Sequence, residues 1–198
     1  MKTIVVACNT ASAYALDELE KEIDVPIIGV IKPGARTAAE VTRNGRIGVI
    51  ATEATIGSQM YNKYIQELNK DVTIYGKACP LFVPLVEEGL WEDPVTDEIA
   101  KRYLSELIDI DIDTLILGCT HYPLLLDKIR AYLPPSISVV LQGPLVTDRL
   151  DAYLKRHPEI ESRCSKEGGC RYLTTESPRK FSEAATLFLN EPVEAEHI

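Results

Sequence analysis

Two kinds of segment, which differ in their pattern of apolar and polar residues, alternate along most of the chain. Short runs of consecutive apolar residues, at 3–8, 46–51 and 115–117, are typical of buried parallel strands. Apolar residues at helical spacing lie between these runs. They predict helices over residues 11–22, 35–43, 93–109 and 178–189. Strands that alternate with helices in this way predict an α/β protein built on parallel sheets.

Weaker segments complete the predicted pattern. A Lys-Pro-Gly sequence at 32–34 interrupts the apolar pattern and predicts a hinge between domains. Thr10 is the predicted N-cap of helix 11–22, and residues 191–198 are predicted to be a frayed tail. The further predicted strands are 26–30, 72–77, 137–141 and 171–175. Further helices are predicted from the turn at 52–55 to about residue 69, from the end of the strand at 115–117 to residue 132, and over residues 144–157.

Two segments of the chain also resemble one another. Residues 3–17, TIVVACNTASAYALD, match residues 114–127, TLILGCTHYPLLLD, with Cys8 placed on Cys119. Two copies are too few for a repeat array, so the match indicates a duplicated half-molecule. We therefore expect two α/β domains, one formed by residues 1–31 plus 141–198 and the other by residues 32–140.

Composition narrows the class of protein. The net charge of −9 and a pI near 4.9 argue against binding to nucleic acid or to an anionic membrane surface. No apolar run approaches the roughly 20 residues that span a bilayer, and no signal peptide is recognisable. Without a secretory context, the five cysteines are interpreted as reduced thiols, and we expect a cytoplasmic protein.

The candidate chemistry lies where the predicted strands end. Cys8 follows the first strand, and Cys119, Thr120 and His121 follow the strand at 115–117. In open α/β sheets, ligands bind beyond the carboxyl ends of the strands. Two cysteines facing one another across such a cleft would suit a racemase, which needs one base on each face of a carbon. The alternative for each cysteine is a small buried apolar side chain.

Two acidic residues and three further cysteines are the remaining candidates. Glu87 and Glu88 end an apolar segment, and one of them is expected to pair with His121 while the other is solvated. Cys79, among apolar neighbours, is interpreted as a core residue. Cys164 and Cys170 flank a polar loop, where a disulfide or half of a zinc site is conceivable, although no second ligand pair with metal spacing is present. The sequence contains no dinucleotide or phosphate-loop motif.

Five motifs give the chain a family resemblance. They are VACNTAS (6–12), GVIKPGA (29–35), GVIATEATI (48–56), CPLFVPLVEEG (79–89) and GCTHYPLL (118–125). In this order they resemble the cofactor-independent glutamate racemases, from the start of the chain to about residue 141. The resemblance implies two pseudo-symmetric α/β domains, no cofactor or metal, and a cytoplasmic homodimer that makes D-glutamate for peptidoglycan.

The resemblance also implies roles for individual residues. Two cysteines, here Cys8 and Cys119, would act as alternating base and acid on opposite faces of the substrate Cα. His121 would assist Cys119, with Glu87 behind it. The residues implied to bind the amino acid are Asn9, Thr10, Thr120 and His121, with Thr52 and Thr55 as weaker candidates.

Two departures from the family pattern keep alternatives open. An Asp-Ser-Gly turn and a Pro-Tyr-Gly segment, expected upstream of the first cysteine, are missing, so the first domain is expected to lack its N-terminal part and the chain as given to be a poor racemase. An expected Asp-Ser after strand 137–141 reads Gln142-Gly143. The alternatives are therefore a racemase of another acidic amino acid, such as aspartate, or a non-catalytic binding remnant.

Overall fold

The computed structural model describes residues 1–166 and 168–198, which form two compact units, Met1–Ser162 and Arg163–Ile198. The strands are β1 (Ile4–Val6), β2 (Ile27–Gly29), β3 (Arg46–Ala51), β4 (Thr73–Ala78), β5 (Thr114–Gly118), β6 (Ser138–Val140), β7 (Tyr172–Thr174) and β8 (Ala195–His197). The α-helices are α1 (Asn9–Tyr14), α2 (Leu16–Glu22), α3 (Ile31–Val41), α4 (Glu53–Gly57), α5 (Met60–Leu68), α6 (Phe82–Glu87), α7 (Pro94–Asp109), α8 (Leu126–Tyr132), α9 (Gln142–Arg156), α10 (Pro158–Glu161) and α11 (Pro178–Leu189). A short 3₁₀ helix, Tyr122–Leu125, precedes α8.

The larger unit contains two parallel sheets. Four strands pair in the order β4-β3-β5-β6, and β1 pairs with β2. All residues of β5 are buried, as are all but the first of β3, because helices cover both faces of a parallel sheet. The prediction of an α/β protein with parallel sheets is confirmed.

Helix α3 begins earlier than the sequence predicts and includes the residues of the predicted break. Residues 32–34 lie in the first turn of α3, which begins at Ile31. Proline is tolerated there because the N–H groups of a first turn have no intrahelical acceptor. Gly34 is buried, and a Cβ added to it would lie 3.2 Å from Gln142 Nε2, so the glycine permits close packing rather than bending.

Two predicted helices are each divided into two. The segment predicted as helix 11–22 begins at Asn9 and is interrupted at Ala15. The segment predicted to run to about residue 69 is interrupted at Gln59, whose φ of 57° is left-handed. Both breaks reorient the chain between short helices, which apolar spacing alone does not reveal.

The buried Asp113 fastens the start of β5 to the loop between α3 and β3. Its carboxylate accepts hydrogen bonds from the Arg43 and Asn44 backbone N–H groups at 2.5 and 2.6 Å. The hydroxyls of Thr42 and Thr114 donate at 2.7 and 2.8 Å. Burial of the carboxyl raises its pKa, but these hydrogen bonds outweigh burial and hold the pKa below its ordinary value.

The smaller unit corrects the predicted tail. Residues 195–197 form β8, which pairs in parallel with β7. The link back from α11 is fixed by Thr186 Oγ1, which accepts from Val193 N at 3.0 Å, and by Ser182 Oγ, which accepts from Ala195 N at 3.0 Å. Helix 178–189 has the predicted bounds. The predicted domains, 1–31 plus 141–198 and 32–140, stay a prediction.

Candidate active site

Cys8 lies just beyond the carboxyl end of β1 and is exposed to solvent. It is the N-cap of α1, since its extended backbone precedes the helix and its Sγ accepts a hydrogen bond from Ala11 N at 3.5 Å. The predicted cap, Thr10, instead lies inside the first turn. The helix N-terminus carries partial positive charge, and the Cys8 sulfur lies beside it.

Cys119 follows β5 and is only 9% exposed. Burial raises the pKa of its thiol above the ordinary value. Hydrogen bonds from the backbone N–H groups of His121 and Thr120 lower that pKa, whereas the charge of Cys8 raises it. The two thiols are therefore close enough for the charge on one to affect the other.

His121 connects Cys119 to a carboxylate. Its Nδ1 lies 3.7 Å from Cys119 Sγ, and its Nε2 lies 3.3 Å from Glu87 Oε1. Glu87 ends α6, and its side chain is 61% exposed, whereas that of His121 is 28% exposed. Of the two acids that the sequence offered, Glu87 is the one that contacts the imidazole.

Close packing requires a glycine at position 118, directly before Cys119. A Cβ on Gly118 would lie 2.9 Å from the Ile50 carbonyl oxygen and 3.0 Å from the Ala51 Cβ. Both contacts come from the neighbouring strand β3, so a side chain at this position would push the strands apart. The glycine therefore keeps the end of β5, and with it Cys119, in register with β3.

Three hydroxyls meet between α1 and α4. Thr10 Oγ1 lies 3.1 Å from Thr52 Oγ1 and 2.9 Å from Thr55 Oγ1, and Thr52 donates to Thr55 at 3.1 Å. Thr52 also caps α4 by accepting from Thr55 N. The structure thus brings together three of the four threonines that the resemblance implied, on elements that follow β1 and β3.

Asn9 belongs to a buried polar network that the sequence analysis missed. Its Nδ2 donates to Gln142 Oε1 at 2.8 Å, and its Oδ1 accepts from Gln142 Nε2 at 2.9 Å and from the Tyr61 hydroxyl at 2.7 Å. The Gln142 amide also contacts the Tyr61 hydroxyl. Gln142 directly follows a predicted strand, which was the available signal, whereas nothing in the sequence distinguishes Tyr61 from a core tyrosine.

A pocket of about 180 Å³ opens beside Cys119. Thr120 and Gln142 contribute its polar groups, and Val30 and Val146 contribute apolar surface. The pocket therefore joins the cysteine at the end of β5 to the start of α9, the helix that follows β6.

The structure also describes the surroundings of two further cysteines, Cys79 and Cys170. Cys79 is fully buried, as predicted, and burial raises its pKa to about 12. Cys170 is an exposed thiol in the smaller unit. Within residues 1–166 and 168–198 there is no cluster of three or more His, Cys, Asp or Glu side chains suited to a metal ion, and no helix that is long and apolar enough to span a membrane.

Comparison with known proteins identifies the family. Residues 1–143 match the Asp/Glu/Hydantoin racemase family. The chain belongs to this racemase family. Its relatives include the glutamate racemase of Geobacter metallireducens, 44% identical over 96% of this chain and 70% of the relative, and that of Persephonella marina, 55% identical over 66% of this chain and 50% of the relative. The chain thus spans between half and about two thirds of the length of these racemases.

Solved structures agree with this racemase assignment. Glutamate racemase RacE1 from Bacillus anthracis superposes with a TM-score of 0.91 at 36% identity, covering 100% of this chain and 74% of that one. Glutamate racemase from Francisella tularensis, solved with D-glutamate, superposes with a TM-score of 0.87 at 33% identity, covering 100% of this chain and 72% of that one. The resemblance inferred from the five motifs is confirmed, and the family is one of isomerases.

Proposed function

We propose that this chain interconverts L- and D-glutamate by a two-base mechanism in which Cys8 and Cys119 act on opposite faces of the substrate Cα. The observation that carries the proposal is the placement of two cysteines beyond the ends of β1 and β5, with Cys119 beside His121. The glutamate racemases among its relatives support the choice of substrate.

The proposed reaction needs one thiolate and one thiol. The thiolate takes the α-proton of glutamate, and the electron pair of the broken C–H bond remains on Cα as a carbanion. The thiol on the other face then donates its proton to Cα, which inverts the configuration and leaves the second sulfur as the thiolate. The next turnover in the reverse direction uses the cysteines in exchanged roles.

His121 is proposed to assist proton transfer at Cys119. Burial disfavours the Cys119 thiolate, so an imidazole 3.7 Å from its sulfur can stabilise the charge or exchange the proton. Glu87 orients the ring from its other nitrogen. Asn9, Thr10 and Thr120, with Thr52 and Thr55, are proposed as the residues that bind the amino acid.

Glutamate is favoured over aspartate. The curated relatives cited above are glutamate racemases at 44% and 55% identity. An aspartate racemase from Picrophilus torridus superposes with a TM-score of 0.55 at only 19% identity, which shows the fold alone. No contact in the described residues favours the non-catalytic alternative.

The wider setting is also proposed. Supply of D-glutamate for peptidoglycan follows from the proposed reaction, and a cytoplasmic location and a homodimer follow from the family resemblance. The homodimer and the compartment stay predictions.

A racemase assay tests the proposal. The purified chain is incubated separately with L-glutamate, D-glutamate and L-aspartate without added cofactor, and optical activity is followed by circular dichroism. We expect both glutamate enantiomers to move towards the racemate more slowly than with the Geobacter metallireducens enzyme, which is the positive control, and aspartate to remain unchanged. A chain that leaves glutamate unchanged while the control is active, or that prefers aspartate, would contradict the proposal.

A further inference from the structure

Gln142 is a buried polar residue, 7% exposed, to which the family resemblance assigns no role. It stands at the end of β6, where the family pattern has an acidic residue, and begins helix α9. Its amide forms two reciprocal hydrogen bonds with the Asn9 amide, at 2.8 and 2.9 Å. An acidic side chain could not form this pair when ionised, because a carboxylate only accepts hydrogen bonds.

The paired amides join the two segments that carry the candidate catalytic thiols. Asn9 directly follows Cys8, and it is 2% exposed. Gln142 lines the same pocket as Cys119, at the end of a strand that pairs with β5. The bonds therefore span 133 residues of sequence and connect the end of β1 to the ends of β5 and β6.

Other contacts hold the pair in place. The Tyr61 hydroxyl donates to Asn9 Oδ1 and contacts the Gln142 amide. Gly34 in α3 lies against the Gln142 side chain, where a Cβ would come within 3.2 Å of Nε2. Burial raises the pKa of Tyr61, and the charge of Cys119 raises it further, so the network lies within electrostatic reach of that thiol.

We propose that Gln142 is a positioning residue which, through its paired amide bonds to Asn9, sets the separation of the Cys8 and Cys119 thiols. The inference rests on the proposed function, because a two-base reaction requires both sulfurs at fixed distances from one Cα. A buried hydrogen-bonded network rigidifies its surroundings when every member is satisfied, and no buried side-chain polar atom in the described residues lacks a partner.

The main test replaces Gln142 with methionine, which has similar length and forms no amide pair. Misplacing a reacting group by about 1 Å can cost about 10²-fold in rate. We therefore expect Gln142→Met to lower kcat about 10²-fold in both directions of racemisation, with a far smaller change in KM. The matched control, Gln66→Met, alters an exposed glutamine of α5 and should leave both constants unchanged.

A second readout measures the thiol separation without catalysis. Dibromobimane becomes fluorescent when its two arms alkylate two neighbouring thiols, and peptide mapping shows which cysteines are bridged. We expect a Cys8–Cys119 bridge in the wild-type chain and a rate of bridging lower by about an order of magnitude or more in Gln142→Met. Circular dichroism and thermal unfolding verify the fold, and Gln142→Asn, whose amide is one methylene shorter, replaces Gln142→Met if that variant does not fold.

The outcomes separate the two proposals. An inactive wild-type chain whose Cys8–Cys119 bridging still depends on Gln142 would contradict the proposed function and support the positioning role. Equal bridging in the wild type and the folded variant, or no bridging in either, would overturn the positioning role. A fall in thermal stability with unchanged kcat and bridging would show that Gln142 only stabilises the fold, and would overturn it too.

Discussion

The contacts of His121 predict how strongly each of its neighbours matters for catalysis. The imidazole is 3.7 Å from Cys119 Sγ, within reach of the proton that this thiol gains and loses. General acid–base assistance of this kind contributes about 10²–10⁴-fold to a rate. We therefore expect His121→Asn, which keeps a polar side chain of similar size, to lower kcat at least about 10²-fold.

The effect of Glu87 should be much smaller. Its oxygen lies 3.3 Å from His121 Nε2, but its side chain is 61% exposed, so water screens the pair. For a protonated imidazole, Coulomb's law at this distance in a water-like dielectric gives about 1 kcal/mol, which corresponds to about fivefold in rate. Glu87→Gln should thus lower kcat no more than about fivefold, and Glu88→Gln is its matched control.

Initial rates from each enantiomer, followed by circular dichroism, measure these effects. Because the enantiomers have equal free energy, kcat/KM must fall by the same factor in both directions. Loss of help at one of two thiols should nevertheless lower kcat more in one direction than in the other, with a compensating difference in KM. A small and equal loss of kcat in both directions for folded His121→Asn would contradict a role in proton transfer and leave His121 a structural residue.

Three further predictions concern the thiols and the buried carboxylate. Cys8→Ser and Cys119→Ser should each lower the rate of racemisation by about 10²–10⁴-fold, because a serine hydroxyl is a much weaker base. The control Cys170→Ser should leave the rate unchanged. Full activity in Cys8→Ser or Cys119→Ser would exclude the two-base assignment. Asp113→Asn should lower the free energy of unfolding by about 1.5–3 kcal/mol at pH 7, as measured with urea. Since the Asp113 pKa is lowered in the folded state, this stability is present above the unfolded pKa of 3.8 and is lost as pH falls through the folded pKa. A wild-type advantage that does not shrink as the pH falls below 3.8 would contradict this role of the carboxylate. The Cys79 pKa rises from 9.0 to about 12 on folding, so the stability contributed by the neutral thiol is present below pH 9 and is lost as pH rises towards 12. Cys79→Ala should therefore reduce the slope of the free energy of unfolding against pH between 9 and 12 by about 1.4 kcal/mol per pH unit. An unchanged slope would contradict this effect of Cys79.

Local signals in the sequence predicted those elements whose bounds depend on neighbouring residues. Strand β3 has the predicted bounds because its apolar run is set off by polar residues. Helix α7 begins beside Asp93, whose carboxylate accepts from Val95 N at 2.8 Å, as an N-cap does. Residues 32–34 were wrongly predicted to lie outside a helix, because proline and glycine in a buried first turn are stabilised by contacts from distant segments.

Part of the candidate site was likewise predictable from local signals in the sequence. The ends of the strands and the internal duplication pointed to Cys8 and Cys119, and the resemblance implied the side chains around them. The Gln142–Asn9 pair was not predictable, because it joins residues 133 positions apart. Its existence depends on how β6 and α1 approach one another, and periodicity within either segment carries no information about that approach.

The packing around Gly118 has a consequence for covalent inhibitors. Because the Ile50 carbonyl and the Ala51 Cβ pack closely against Gly118, the strand end that carries Cys119 has little room to adjust to an incoming electrophile. Cys8, by contrast, is exposed at the surface. A thiol-directed compound would therefore meet Cys8 first. Selectivity for Cys119 would have to come from the shape of a reagent that fits the pocket and places its reactive carbon at the buried sulfur.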